Sequence, residues 1–245
     1  VYCRFCFRRE MIGPSRGATL SNKELDAALN YITANPTLSE VIMTGGDPLI
    51  LSPRRIADVT HKLSRIKHIK RLRWHTRVPV VRPDLITDEL VHALSQTNRE
   101  VRIAVHANHP REFTDAVRSA CVTLLENGIE LLSQSVLLKG INDDGRVLSA
   151  LIKAYRDIGI TPYYIHHGDL APGTTHFRTT ISHGLNLTCQ LERGSLPGTL
   201  PTYVLDLPGG FGKVPLTRSS VQVCGEGQYR IRAPDGKYHH YTDLT

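Results

Sequence analysis

The sequence has no apolar run approaching the roughly 18–20 residues that a membrane-spanning helix needs, and no secretory signal. Its five cysteines, an odd number, follow no regular spacing. This excludes a disulfide framework and favours a reducing, cytoplasmic compartment. Low-complexity segments are missing as well, and charged residues make up only 22%, so disordered and fibrous classes are excluded. With 245 residues, 40% of them hydrophobic, one large domain or a domain with an appendage is expected.

Positive charge is what the sequence has in excess. Lys and Arg number 30 against 23 Asp and Glu, for a formal net charge of +7. A nucleic-acid-binding protein is therefore an alternative. However, the basic residues are spread along the chain, and the densest run, from Lys67 to Arg77, alternates with apolar residues as a strand does. The same positive charge would attract an anionic small molecule, so we do not expect a nucleic acid as partner. Because the sequence has no long apolar run, we do not expect a membrane as partner either.

Short β-rich segments alternate with segments of helical periodicity. Strands are predicted at 40–44, 71–76, 101–106, 130–137 and 162–167. Amphipathic helices are predicted at 22–34, 53–66, 88–97, 113–127 and 145–158. Such βα repeats, spaced at about 30 residues, indicate a parallel sheet with helical crossovers, as in a barrel or partial barrel. Ser21 and Ser52 are predicted helix N-caps, and Gly159 a helix C-terminus.

Polar residues concentrate where the predicted strands end, which is where enzymes of this architecture carry their chemistry. These residues are Gly45, Gly46, Asp47, His75, Arg77, His106, Asn108, His109, Gln134, His166, His167 and Asp169. After Asp169 the pattern changes to a loop with one helix, a strand at 201–207 and a tail of strand-like pieces with a turn at 234–236. We therefore expect a partial barrel over residues 1–169 and a C-terminal segment over 170–245.

Cys3 and Cys6 form the first pattern that carries chemistry. Alone, Cys-x2-Cys is compatible with zinc, with a redox pair and with an iron–sulfur cluster, although zinc would favour a second such pair, which the sequence lacks. The stretch from Val1 to Arg9 resembles the second half of the radical S-adenosylmethionine (SAM) signature, Cys-x3-Cys-x2-Cys, in its aminomutase version. This resemblance places the first of three cluster cysteines two residues before Val1, so that the chain begins inside the motif.

The segment Gly45-Gly46-Asp47 follows the first predicted strand. A glycine pair lets the backbone approach a ligand closely, although a simple βα turn would have the same sequence. The segment resembles the Gly-Gly-Asp-Pro element that binds the SAM amino group in the lysine 2,3-aminomutase family. Three further residues match polar positions around SAM in that family: His106, Gln134 and, for the SAM carboxylate, Arg77.

Lys213 ends the glycine-rich run PGGFGK at residues 208–213. A lysine in this setting can anchor a phosphate or form a Schiff base, and a surface lysine on a flexible loop is the alternative. The spacing excludes a Walker A motif. The run resembles the segment of the same family whose lysine carries pyridoxal phosphate (PLP). His166 stands where well-known members have a tyrosine near the PLP phosphate.

Asp169 and Asp206 match the acidic residues that bind the ε-ammonium of lysine in this family. A long cationic side chain in a partly dry cavity needs such charge-assisted partners. Two unpaired carboxylates would repel each other there, so a glutamate-directed relative is expected to lose one of them. Arg8 matches the arginine that pairs with the substrate α-carboxylate, a task suited to the bidentate guanidinium group.

The resemblance runs in order along nearly the whole chain, from Val1 to about Val221. It implies an α/β fold, a partial (β/α)6 TIM-like barrel of the radical SAM type with a small C-terminal β-containing extension. The implied activity is isomerisation of L-lysine to β-lysine by 1,2-amino migration, started by a 5′-deoxyadenosyl radical. The implied cofactors are a [4Fe–4S] cluster on Cys3 and Cys6 with a third cysteine, SAM, and PLP on Lys213. An external electron donor such as flavodoxin or ferredoxin is implied, and a homo-oligomer is open.

Three alternatives remain open from the sequence. One is a related aminomutase that acts on another amino acid or makes β-lysine for modification of elongation factor P. Another is a basic nucleic-acid-binding protein with a Cys-x2-Cys metal site. The third, a PLP enzyme without a cluster, is disfavoured by the cysteines and by the glycine pair at Gly45. Because two thiolates hold a [4Fe–4S] cluster poorly, this stretch of chain by itself is expected to be inactive.

Overall fold

The computed structural model describes residues 3–6, 20–193 and 198–243. Its main sheet has seven strands in chain order, and the first six run parallel. These strands are β1 (Glu40–Met43), β2 (Arg71–Thr76), β3 (Glu100–His106), β4 (Glu130–Val136), β5 (Thr161–His166), β6 (Thr202–Leu207) and β7 (Gly212–Pro215). Only β7 is antiparallel to its neighbour. Because each parallel strand lies beside the one before it, the crossovers cover one face and the sheet curls into a half-barrel.

One helix precedes β1, and the others lie in the connections between strands. They are α1 (Asn22–Ala34), α2 (Pro53–Ser64), α3 (Val78–Val81), α4 (Asp88–Ser95), α5 (Asp115–Glu126), α6 (Gly145–Ile158) and α7 (Ile181–Glu192). Ser21 caps α1 in a reciprocal capping box with Glu24, and the Ser52 side chain accepts a hydrogen bond from the Arg55 amide at the start of α2. At the end of α6, Gly159 adopts φ +93°, a left-handed conformation that glycine tolerates best. The three predicted caps are confirmed.

The predicted strands and helices are all present, with ends that differ by a few residues at most. Besides four short 3₁₀ turns, two elements of the described residues were not predicted, α3 and β7, each of four residues. Such short elements carry too little periodicity to be seen in a sequence. The C-terminal tail forms a separate antiparallel sheet of β8 (Val221–Gly225), β9 (Gln228–Arg232) and β10 (Tyr238–Thr242). The predicted turn at 234–236 joins β9 to β10.

The two faces of the main sheet differ in character. Along β2, Leu72 and Trp74 are buried against the helices, whereas Arg71 and Arg73 on the other face are half-buried. Those arginines meet acidic residues of neighbouring strands: Arg73 Nη2 lies 2.7 Å from Glu40 Oε2, and Arg71 Nη2 lies 2.9 Å from Glu100 Oε2. Two arginines of the densest basic run are thus paired with carboxylates across the sheet, which weakens the case for a nucleic-acid surface.

The Tyr155 hydroxyl links α6 to the ends of two strands. It accepts a hydrogen bond from Ala107 N (2.8 Å) and lies 2.9 Å from Gln134 O and 3.0 Å from Ala107 O. Tyr155→Phe is expected to lower the free energy of unfolding by on the order of 1 kcal/mol, since these buried hydrogen bonds are lost. Urea denaturation measures the change. Tyr31→Phe, on an exposed ring, is the matched control, and an equal effect of both variants would contradict this role.

Within the described residues, no helix is long and apolar enough to cross a membrane.

Candidate active site

A cavity of about 460 Å³ opens at the carboxyl ends of the parallel strands, a volume typical of small-molecule sites. It is lined by Cys3, Phe5, Cys6, Ile42, Thr44, Gly45, Gly46, Asp47, His75, Thr76, Arg77, His106, Gln134, Val136, His166, Asp169, Asp206 and Lys213. Every site residue predicted from the sequence lies on this cavity, except Arg8, which falls outside the described residues. Residues as distant as Cys3 and Lys213 therefore meet at one place. Those that follow β1 to β5 do so because parallel strands share one carboxyl edge.

The cysteine segment forms a tight turn at the mouth of the cavity, with Cys6 N donating to Cys3 O at 3.1 Å. Phe5 between them packs on the His106 ring, with centroids 5.7 Å apart. The Arg77 guanidinium donates to Cys3 Sγ at 3.3 Å and also pairs with Glu112. Thiolate sulfur is the form of cysteine that binds metals.

The donor set for a cluster is incomplete in the part of the chain that the structure describes. It supplies two thiolates, and it contains no group of three or more His, Cys, Asp or Glu side chains placed to hold a metal. Cys3 and Cys6 therefore fit two of the three cysteines that the radical SAM signature provides. No further part of a cluster site can be assigned to the described residues.

Gly45 and Gly46 leave the cavity open beside β1. Gly45 adopts φ +141°, and a Cβ added at either glycine would meet no atom within 4 Å, so any side chain there would extend into free space. Asp47 is 6% exposed and bonded through both oxygens: Oδ1 accepts from Thr76 Oγ1 (2.6 Å), and Oδ2 from Arg77 N (2.8 Å). Burial raises the pKa of Asp47 against the opposing effect of these bonds. This carboxylate fixes the glycine turn against the end of β2.

Several cavity-lining residues have a buried polar atom without a hydrogen-bond partner among the described residues, including Arg77 Nε, His106 Nε2, Gln134 Oε1 and His166 Nε2. Burial, reinforced by the nearby charge of Arg77, lowers the pKa of His106 to about 3, so its imidazole is neutral. Leaving a buried polar group unsatisfied costs about 1–3 kcal/mol. Such atoms around one cavity fit a site that receives a polar ligand, as SAM is.

Lys213 lies on β7, directly opposite Asp206 on β6. The glycine run that the sequence shows forms the turn between these strands, where Gly209 and Gly210 adopt φ +88° and +78°. Lys213 Nζ lies 2.6 Å from each Asp206 oxygen. The pairing of β7 with β6 therefore determines the position of Lys213, which lies on a strand and not on a flexible loop. A primary amine held at the cavity edge fits the attachment of PLP.

His166 completes this group, with Nδ1 3.1 Å from Asp206 Oδ2 and 3.4 Å from Lys213 Nζ. Burial alone would raise the pKa of Asp206, but hydrogen bonds from His166 and Lys213 outweigh burial and lower it to about 2. Asp169 behaves in the opposite way: its burial, and then the nearby charge of Asp206, raise its pKa. Asp206 is thus firmly ionised, whereas the ionised form of Asp169 would be stabilised by an added cation.

Three of the polar residues found at strand ends have other roles. Asn108 Oδ1 accepts from Val136 N at 2.8 Å, which ties β3 to β4. His109 caps a short 3₁₀ turn with Glu112, and His167 is buried away from the cavity. Sequence position alone does not separate these residues from His106 and His166. Glu112, the partner of Arg77, was not predicted, because nothing in the sequence indicates which arginine a loop glutamate will meet.

The comparisons with known proteins agree with this geometry. Residues 1–150 match the Radical SAM superfamily. L-lysine 2,3-aminomutase of Acetoanaerobium sticklandii is 40% identical, covering 99% of this chain and 58% of that protein. Glutamate 2,3-aminomutase of Clostridioides difficile is 35% identical, covering 97% of this chain and 56% of that protein. The crystal structure of Streptococcus suis SuiB bound to S-adenosylmethionine shares the fold, with a TM-score of 0.60 at 13% identity over 85% of this chain and 48% of that one.

The chain spans somewhat more than half the length of the curated relatives it matches. The predicted fold, a partial radical SAM barrel with a C-terminal β extension, is confirmed. The match implies a [4Fe–4S] cluster and SAM. The chain belongs to the radical SAM superfamily, and the two relatives named above are 2,3-aminomutases, a class of isomerases.

Proposed function

We propose that the protein containing this chain is a PLP-dependent radical SAM aminomutase that interconverts L-lysine and β-lysine. The observation that carries the proposal is the placement of Lys213 and Asp206 on the same cavity as Cys3, Cys6 and the glycine turn. A lysine amine suited to PLP and a loop suited to a cluster and SAM then face one substrate space of about 460 Å³.

Each part of the cavity has an expected ligand. Cys3 and Cys6 would hold the cluster, while His106, Gln134 and the Gly45 turn would hold SAM. When bound, the cluster and SAM supply a 5′-deoxyadenosyl radical for hydrogen abstraction, and PLP supplies a conjugated ring for the migrating amino group. The protein's own contribution is positioning and exclusion of water. Lys213 would hold PLP, and His166 would orient the lysine amine through its contacts with Lys213 and Asp206.

Asp169 and Asp206 determine the expected substrate. Both carboxylates line the cavity, and Lys213 pairs with Asp206 but not with Asp169, so the two carboxylates outnumber this amine. The ε-ammonium of lysine restores the balance, whereas the side-chain carboxylate of glutamate would add a third negative charge. This favours lysine although a glutamate enzyme is among the relatives.

The proposal predicts the order of affinities for amino acids in the presence of PLP. Isothermal titration of the purified chain is expected to give tightest binding for L-lysine, weaker binding for L-ornithine, and none for L-glutamate. A product assay under reducing, anaerobic conditions, with the third cluster cysteine supplied upstream, is expected to yield β-lysine. Tighter binding of glutamate would overturn the substrate assignment. Salt-dependent binding of RNA or DNA without PLP binding would favour the nucleic-acid alternative.

A second aminomutase role stays compatible with the same site. A relative that makes β-lysine for modification of elongation factor P would use the same cavity and the same carboxylates. The product assay separates this role from action on other amino acids, since only a lysine-directed enzyme yields β-lysine.

A further inference from the structure

His167 is a buried histidine that the proposed chemistry does not use. It follows His166 directly, at the end of β5, but its side chain is 2% exposed and does not line the cavity. Its Nδ1 lies 2.7 Å from the Tyr203 hydroxyl on β6, and its Nε2 lies 3.3 Å from Asp243 Oδ1. Both ring nitrogens therefore face polar groups in the protein interior.

Asp243 comes from the far end of the chain, immediately after β10. Its side chain is also only 2% exposed. Asp243 Oδ2 accepts a hydrogen bond from Ile181 N at 2.9 Å, at the start of α7, and its backbone N donates to Gly227 O at 2.8 Å, in the turn after β8. One carboxylate thus connects the small C-terminal sheet, α7 and the end of β5.

Tyr203 reaches His167 only because α7 has a glycine where it passes. A Cβ added at Gly184 would lie 2.1 Å from the Tyr203 hydroxyl, which is closer than any two such atoms can come. The His167 ring also stands edge-on to Tyr241 of β10, with centroids 6.0 Å apart. Residues of β6 and of β10 with the position after it therefore contact the His167 ring, and Gly184 of α7 leaves the space that Tyr203 needs.

The backbone beside this cluster carries the candidate site. His167 N donates to Val204 O at 2.7 Å, which anchors the segment between His166 and Asp169 to β6. Burying a carboxylate next to a histidine is costly and gives little net stability by itself. Such a cluster is best explained by the backbone conformation that it stabilises. The adjacent segment, residues 166–169, contains His166 and Asp169, which line the cavity.

We propose that His167 and Asp243 are positioning residues, through which the C-terminal sheet sets the conformation of residues 166–169. The inference deepens the proposed function and rests on it for its effect on PLP. In this arrangement His166 is directed toward Lys213 and Asp206, and Asp169 toward the cavity. The C-terminal sheet is then part of the site's construction, although none of its residues lines the cavity.

Two tyrosines provide a matched test. Tyr203→Phe removes the hydroxyl that meets His167. Tyr238→Phe removes a hydroxyl on β10 of the C-terminal sheet, from a ring whose centroid lies 5.2 Å from the Arg230 guanidinium. We expect Tyr203→Phe to weaken PLP binding by about 10-fold, the effect of a misplaced site group worth 1.4 kcal/mol. Tyr238→Phe is expected to change it less than about 2-fold.

Hydrogen exchange of the ligand-free chain provides a readout that does not depend on PLP. Tyr203→Phe and Asp243→Asn are both expected to speed amide exchange in residues 164–169, and Tyr238→Phe to leave it unchanged. Equal effects of the two Tyr→Phe variants, or no effect of Tyr203→Phe, would overturn the positioning role. If the wild-type chain does not bind PLP at Lys213, the proposed function fails, while the exchange data still decide the positioning inference. If Asp243→Asn does not fold, the two tyrosine variants decide it.

Discussion

Lys213→Ala is expected to abolish covalent attachment of PLP, with complete loss of the visible absorbance of the PLP–lysine linkage. The primary amine of Lys213 is the only part of the side chain that can form this linkage, and hairpin register holds it at the cavity edge. Absorbance spectra of the purified chain with added PLP measure the result, and mass spectrometry after borohydride reduction locates the modified residue. Any aminomutase activity is expected to fall to background.

Two control variants separate chemistry from electrostatics. Lys213→Arg keeps a cation beside Asp206 but cannot form the linkage, so it is expected to behave like Lys213→Ala. Lys237→Ala, at an exposed lysine before β10, is expected to leave the spectrum unchanged. Because half-exposed ion pairs contribute only about 0–1 kcal/mol, neither Lys213 variant is expected to unfold the chain. An unchanged spectrum in Lys213→Ala would remove Lys213 from the site.

Asp206→Asn is expected to weaken binding of L-lysine, in the presence of PLP, by about 10- to 100-fold. A charge-assisted hydrogen bond to an ammonium is worth about 1.5–3 kcal/mol, and each 1.4 kcal/mol corresponds to a factor of ten. Isothermal titration with lysine measures the loss. Asp235→Asn, on an exposed carboxylate in the turn before β10, is the matched control. Unchanged lysine affinity in Asp206→Asn would contradict the role of this carboxylate.

The pH dependence distinguishes the two carboxylates. Hydrogen bonds from His166 and Lys213, which outweigh the opposite effect of burial, hold the pKa of Asp206 at about 2. In the chain without PLP, its charge is therefore retained as the pH falls through 4 and is lost only toward 2. Burial raises the pKa of Asp169, so Asp169 is protonated first. As the pH falls, lysine affinity is expected to decline first when Asp169 is protonated and again when Asp206 is protonated. Asp169→Asn is expected to remove the first decline and to leave the second.

The secondary structure and the membership of the cavity follow from the sequence alone for a simple reason. Hydrophobic periodicity and helix caps such as Ser21 and Gly159 are local properties, readable within one or two turns of chain. Once the strands are known to be parallel, their carboxyl ends must meet at one edge. Residues as distant as Asp47 and Asp169 could therefore be assigned to one site, and the resemblance to a known family named their expected partners.

The pairings inside the site were decided by tertiary structure. That Lys213 is paired with Asp206 depends on the register of a hairpin whose second strand has four residues, too few to leave a pattern. That His166 faces the cavity while its neighbour His167 is buried against Asp243 depends on a sheet formed more than 50 residues later. Likewise, the basic run around Arg71 and Arg73 is neutralised by acids on other strands. The sequence determined which residues reach the carboxyl edge, because periodicity is local; only the fold determined what each one meets, because register and burial depend on residues far apart in the chain.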